Sequence, residues 1–230
     1  MSRFRRLLLF ALAGTAVLAC ADGDATVPVA PRWHELAIVE LTFRNIGKPN
    51  MTASTIVPED TAIRFDGLSV GFLDHAKTTG AATRYIHALF RIRNAFRQVD
   101  GTIPSGVTLV GVSTALTVPG TPFSMVTTES GAAASTAFVQ QVRATGRASF
   151  TGDGVVVVDS ANVLRVFAAS ETLQPTMRGI THVFNFGYVV GHADANEGVA
   201  TVAFALPLLD DRTENPTALS VMLLVRLELP

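Results

Sequence analysis

The sequence predicts a mainly β protein, in which a signal peptide and a tether precede a single large β-sandwich with one short amphipathic helix. Apolar and polar residues alternate along most of the chain after Trp33, as they do in strands with one buried face. Hydrophobic residues form 48% of the 230 residues and charged residues only 16%. This composition supplies a large core and excludes disorder for most of the chain.

Residues 1–19 have the composition of a secretory signal peptide. Arginines at positions 3, 5 and 6 precede the apolar run Leu7–Ala19. This run is shorter than the roughly 20 apolar residues that a membrane-spanning helix needs. No later apolar stretch in the sequence is longer, so no helix after residue 20 is expected to cross a membrane.

Cys20 follows this run and is the single cysteine of the chain. The sequence Val17-Leu18-Ala19-Cys20 resembles a bacterial lipobox, and the resemblance implies that Cys20 is the site of lipid attachment. Ordinary signal cleavage is the alternative, because Ala19-Cys20-Ala21 also fits an A-x-A cleavage site. The expected location is therefore extracytoplasmic: anchored to a membrane of the cell envelope, or secreted if Cys20 carries no lipid.

A tether is predicted for residues 20–32, which are small, polar and proline-containing without periodicity. The sandwich domain is then expected to occupy residues 33–230. Its first clear strands are Leu36–Asn45 and Arg84–Arg93, in which every second residue is apolar. Further strands are predicted at Val107–Val118, Val155–Asp159, His182–Val190, Val199–Leu206 and Leu219–Leu229. The expected core residues are Val39, Leu41, Phe43, Ile86, Phe90, Ile92, Val202, Phe204, Leu223 and Val225.

The helix is predicted over Ser130–Thr145, which is rich in alanine. Ala134, Phe138 and Val142 recur there at intervals of four residues, and this spacing places them on one helical face. Gly146 is expected to end the helix. Ala161–Leu173 is a weaker candidate for a second helical turn.

Two segments carry a family resemblance. Gly106–Ser124 and Asn185–Pro207 resemble uncharacterised bacterial secreted proteins and lipoproteins with immunoglobulin-like (Ig-like) β-sandwiches. The resemblance implies an Ig-like sandwich and an envelope location, and it brings no catalytic residue with it.

Catalysis has one local signature, Gly67-Leu68-Ser69-Val70-Gly71, which matches the G-x-S-x-G nucleophile elbow of α/β hydrolases. That elbow needs a strand-to-helix turn within alternating strands and helices, and the surrounding sequence shows neither. We interpret the motif as a glycine-rich turn or bulge, with Ser69 after a turn at Asp66-Gly67. No catalytic residue and no cofactor are predicted.

Metal binding has one weak candidate. His192, Asp194, Asn196 and Glu197 lie close together in the sequence, and the spacing of Asp194 and Asn196 is like the start of a calcium loop. The favoured interpretation is a hairpin tip, with a weak calcium site as the alternative. Asp210, Asp211 and Glu214 are interpreted as a loop between the last two strands. No metal site is predicted.

A binding surface is possible on the polar face of Arg84–Arg93. Tyr85, His87, Arg91 and Arg93 share that face and Arg97 follows; this row could contact a carbohydrate or an anion, although a solvated outer face is the simpler interpretation. With a net charge of −1, the chain lacks the basic excess of a nucleic-acid-binding protein.

The function expected from these observations is that of a non-catalytic cell-envelope lipoprotein, a structural, adhesive or binding module. Its expected partners are the membrane, through the lipid, and an envelope polymer or protein. The alternative is an extracytoplasmic enzyme or a carbohydrate-binding module whose site is assembled from loops. Sites of that kind leave no local motif in a sequence.

Overall fold

The computed structural model describes residues 32–75, 82–95, 106–159, 164–168, 176–194 and 197–229. The predicted signal peptide, Cys20 and nearly all of the tether lie outside these residues. Arg32, the last tether residue, already begins the first strand. The strands are β1 (Arg32–Arg44), β2 (Thr52–Ile56), β3 (Ile63–His75), β4 (Thr83–Asn94), β5 (Gly106–Thr114), β6 (Phe123–Thr128), β7 (Arg143–Thr145), β8 (Arg147–Phe150), β9 (Val156–Asp159), β10 (Leu164–Val166), β11 (Ile180–Val189), β12 (Gly191–Asp194), β13 (Glu197–Pro207) and β14 (Pro216–Leu229).

Two antiparallel sheets form the sandwich. The first has the strand order β10-β11-β5-β14-β1-β2, and β6 also pairs with β14. The second has the order β12-β13-β4-β3, and β7 also pairs with β13. Strands β8 and β9 form a separate two-stranded ribbon. The prediction of a mainly β sandwich with one short α-helix is confirmed.

The main core lies between the two sheets, and it contains every residue that the alternation placed there. Along β4, Ile86, Ala88, Phe90 and Ile92 are buried, while the residues between them face outward. Along β14 the odd-numbered positions from Leu219 to Leu227 face this core, while the even-numbered positions between them are buried on the other face of the sheet. The buried residues predicted from the sequence are Val39, Leu41, Phe43, Ile86, Phe90, Ile92, Val202, Phe204, Leu223 and Val225.

The opposite face of the first sheet is covered as well. Val110, Val112, Met222 and Leu224 pack there with Phe167, which follows β10, and form a second apolar cluster. The segment from Leu164 to Val166 is a strand paired with β11, so the helical turn considered for this region is wrong for these residues. The central strands β5 and β14 are therefore buried on both faces.

The predicted helix is much shorter than expected. Only α1 (Thr136–Val139) is helical, and it starts where the Ser135 hydroxyl accepts a hydrogen bond from the Phe138 amide at 3.2 Å. Arg143–Thr145 forms β7 instead, because the edge of β13 offers hydrogen bonds along Ala203–Ala205. A helix of this length has little stability of its own, so sheet pairing determines where it ends.

No helix among the residues that the structure describes has the length and apolar character needed to cross a membrane.

Candidate functional site

A cleft of about 630 Å³ opens at one end of the sandwich. The end of β3, the start of β4 and the loops that follow β1, β6 and β13 meet there. Loops at the end of a β-sandwich are free of ladder hydrogen bonding, so their side chains can serve ligand binding without weakening the sheets. The charged residues that line the cleft are Lys48, Asp74, Arg84, Glu129, Asp210 and Arg212.

The least exposed cation of the cleft is Arg84, whose side chain is 13% exposed. Its Nε and Nη2 atoms donate to the two carboxylate oxygens of Asp74 at 2.6 and 2.7 Å. The guanidinium also lies 5.5 Å from the centre of the Phe72 ring, in the geometry of a cation–π contact. The two hydrogen bonds to Asp74 and the ring contact hold the Arg84 guanidinium in one orientation. The Phe72 ring beneath it packs against the main core.

Gly47 passes close over this guanidinium. Its backbone has a φ of +79°, and a Cβ atom there would lie 2.2 Å from Nη1 of Arg84. The left-handed conformation therefore favours glycine, and a Cβ atom there would displace the Arg84 guanidinium from its pairing. The loop after β1 is shaped around Arg84.

The loop between β13 and β14 is held by side chains that cap its backbone. The Asn215 side chain accepts from the Leu209 amide at 2.8 Å and donates to the Leu209 carbonyl at 2.9 Å. Asp211 Oδ1 accepts from the hydroxyl and the amide of Thr213, and these hydrogen bonds lower the pKa of Asp211. This connection was expected to be a loop, but it contains a short 3-10 helix, Arg212–Glu214, capped by Asp211. It presents Asp210 and Arg212 to solvent at the cleft.

Three cations and three anions line the cleft, so their formal charges cancel. Lys48 and Glu129 pair across it at 3.1 Å, and each side chain is 47% exposed. The lining therefore offers both hydrogen-bond donors, on its cations, and acceptors, on its carboxylates, and has no net charge. Such a surface suits a polar, uncharged ligand better than an anion or a cation, because neither sign is in excess. No local motif in the sequence indicates this site, because its residues come from separate loops.

The G-x-S-x-G motif lies within β3 and is a bulge, as one of the two interpretations had it. The pairing register between β3 and β4 shifts between Gly67 and Ser69. The proposed turn at Asp66-Gly67 is wrong, because both residues pair with β4. Ser69 is exposed and lies opposite Leu89.

Among the described residues, no side chain that could act as a general base is hydrogen-bonded to the Ser69 hydroxyl. His87 lies on the same face of the sheet, opposite Gly71, but no hydrogen bond joins it to Ser69. Burial, and then the nearby Arg147 charge, lower the pKa of His87. Asp74, which follows the motif in the sequence, is engaged by Arg84.

The polar residues of β4 share one face of the strand, as predicted: Tyr85, His87, Arg91 and Arg93. The two arginines of this row are paired: Arg91 with Glu197 at 2.6 Å, and Arg93 with Asp66. A row of paired charges fits the simpler interpretation of an outer sheet face. Arg97 lies outside the described residues.

The candidate calcium segment lies where β12 and β13 pair antiparallel, which agrees with the favoured interpretation of a hairpin. Asn196 lies outside the described residues. The Glu197 carboxylate is engaged by Arg91. Within the described ranges, no group of three or more His, Cys, Asp or Glu side chains is placed to hold a metal ion.

Comparison with known proteins finds no family model, no curated protein and no solved structure that matches this chain.

Proposed function

We propose that this protein is a non-catalytic lipoprotein of the cell envelope, and that its sandwich is a binding module with the end cleft as its ligand site. The observation that carries the proposal is the cleft itself, which has room for a small ligand and a lining of balanced charge. A neutral saccharide of an envelope polymer is the ligand that best suits this lining, because its hydroxyl groups both donate and accept hydrogen bonds.

The envelope part of the proposal is supported by the sequence before the sandwich. A short apolar run after three arginines ends at the single cysteine, Cys20. The resemblance of Gly106–Ser124 and Asn185–Pro207 to envelope proteins with Ig-like sandwiches agrees with this location. Lipid on Cys20 would hold the binding module close to the polymer that it recognises.

Lipid attachment is tested by growing cells that express the chain with a radiolabelled fatty acid. We expect the wild-type protein to carry label and to partition into detergent, and the Cys20→Ser variant to do neither. An unlabelled wild-type protein would show that the signal is removed by ordinary cleavage. That result would leave the binding proposal standing, because the cleft does not involve Cys20.

Binding in the cleft is tested by calorimetric titration of the purified full chain with oligomers of N-acetylglucosamine, which are neutral envelope saccharides. We expect saturable binding that the double variant Asp210→Ala/Arg212→Ala weakens at least about tenfold, as loss of central polar contacts does. Both residues are exposed, so the variant should fold. Arg178→Ala, which removes another exposed arginine, is the matched control. Absence of binding, or equal weakening in the control, contradicts a saccharide site in this cleft.

A further inference from the structure

Strand β11 contains a large irregularity where it pairs with β5, although Phe186 still pairs with Val166 of β10 on its other side. Val183 pairs with Val112 and Gly187 pairs with Val110, so Phe184–Phe186 stand opposite Gly111 alone. Extra residues in one strand break the ladder locally and re-aim side chains, and such bulges often border functional sites. We therefore asked whether the side chains of this bulge line a binding site.

Gly111 accommodates this arrangement. A Cβ atom at Gly111 would lie 2.4 Å from Cζ of Phe186, so the ring occupies the space that any other residue would fill. Phe184 lies beside it, with ring centres 6.2 Å apart and planes inclined by 37°. Phe186 packs against the main core, whereas Phe184 belongs to neither apolar cluster. Packing against the main core therefore holds Phe186, whereas the Phe184 ring contacts His182 edge to face at 4.9 Å and also lines a cavity.

A cavity of about 200 Å³ lies against these two rings. Val139 and Val142, at and after the end of α1, form an apolar wall, and Phe123 adds a third ring. Gln140, Arg143 and Thr121 bring polar groups to the same cavity. Arg143 is fixed in place because its Nη1 donates to the carbonyls of Gln140 and Val142. The cavity thus combines aromatic rings with polar groups along its lining.

We propose that this cavity is a second ligand site, which takes one aromatic ring carrying a polar substituent. The volume supports a single ring, since apolar cavities of roughly 150 Å³ bind benzene. The Phe184 and Phe186 rings can contact a bound aromatic ring edge to face or in an offset stack. Such contacts add binding energy to that of the apolar area buried. Gln140 and Arg143 then hydrogen-bond the substituent. The site is independent of the end cleft, with which it shares no lining residue.

The site is tested by ligand-observed NMR of the purified full chain with phenol and with benzoate. We expect saturation transfer to the ring protons of at least one of the two compounds. Tighter binding of benzoate would assign the substituent contact to Arg143, and tighter binding of phenol would assign it to Gln140. Absence of transfer from both compounds overturns the proposal.

Variants locate the binding. Phe184→Ala should raise the Kd at least about tenfold, as loss of a central aromatic contact does. Phe150→Ala, which removes a 52% exposed phenylalanine from β8, should leave the Kd unchanged. Gln140→Ala, at an exposed position, gives a second variant that should fold if Phe184→Ala does not. Equal binding by wild type, Phe184→Ala and Gln140→Ala shows that the ring binds elsewhere and refutes the site.

Discussion

A single bulge in β1 decides where one charged residue lies. The register between β1 and β14 shifts between Glu35 and Ala37, so Glu35 faces the outer side of the sheet while Ala37 faces the core. There Glu35 accepts a hydrogen bond from Arg226 at 3.1 Å, and the two side chains are only 7% and 3% exposed. Thr176 and Met177 also donate to the Glu35 carboxylate at 2.8 to 3.0 Å. One carboxylate therefore connects two strands and the segment that covers them.

Removal of this carboxylate should destabilise the protein strongly. Glu35→Ala leaves Arg226 buried without its partner, which typically costs about 3–5 kcal/mol. Among the residues that the structure describes, Nε of Arg226 already has no hydrogen-bond partner, so little compensation is expected there. The free energy of unfolding in urea at pH 7 measures the loss. Glu59→Ala, at an exposed position, is the control and should change the free energy by less than about 0.5 kcal/mol.

The same pair predicts a pH dependence. Burial alone would raise the pKa of Glu35, but the hydrogen bonds from Thr176, Met177 and Arg226 lower it below its ordinary value of 4.5. The charged carboxylate thus stabilises the fold fully above that value, and the contribution is lost as pH falls through the lower folded-state pKa. The stability difference between wild type and Glu35→Gln should therefore shrink as pH falls below about 4. A difference that grows with acidity would contradict the ion pair.

At the scale of elements, long strands with regular alternation could be predicted, and short or irregular ones could not. In β4 and β14 every second residue is apolar over the length of the core, so their core faces follow from the sequence even though Met222 and Leu224 make part of β14 continuously apolar. β3 was missed because Gly67, Gly71 and an exposed Leu68 interrupt its pattern at the bulge. The helix was extended too far because the pairing of Arg143–Thr145 with β13 is a tertiary contact. No local pattern reports such contacts.

The bulge in β3 leads to a prediction about Ser69. Its hydroxyl is exposed on a strand, and no base among the described residues is in hydrogen-bond contact with it, so we expect it not to react as an activated nucleophile. A fluorophosphonate probe should leave the purified protein unlabelled, and Ser69→Ala should change stability by no more than about 1 kcal/mol. Stoichiometric labelling that disappears in Ser69→Ala would make the protein a hydrolase and refute the non-catalytic proposal.

On the scale of the whole molecule, the chemistry of the candidate sites was the part that the sequence could not give. Arg84 reaches Asp74 through strand pairing and Gly47 through a separate loop, and the second cavity depends on Phe184 in β11 facing Val142 after α1. Each of these juxtapositions follows from the order of strands in the sheets. Alternation specifies which face of a strand is buried, but it does not specify which strand lies beside it.

A buried tyrosine also makes polar contact between the two sheets through the core, and this contact can be tested. Tyr188 of β11 is fully buried, and its hydroxyl donates to the carbonyl of Ala203 in β13 on the other sheet. Tyr188→Phe keeps the ring and removes this hydrogen bond, so it should cost about 1 kcal/mol, the usual net value of a hydrogen bond. Tyr85→Phe is the matched control, because Tyr85 lies on the outer face of β4.

Alkaline pH separates this hydrogen bond from simple packing. Burial raises the pKa of Tyr188 well above its ordinary value of 10.0, although the backbone hydrogen bonds oppose the shift. The neutral phenol therefore stabilises the fold fully below pH 10, and this contribution declines as pH rises above that value because only the unfolded chain ionises readily. In urea unfolding, the advantage of wild type over Tyr188→Phe should shrink between pH 9 and pH 11, whereas Tyr85→Phe should follow wild type. An advantage that stays constant over this range would show that Tyr188 is not held neutral between the sheets.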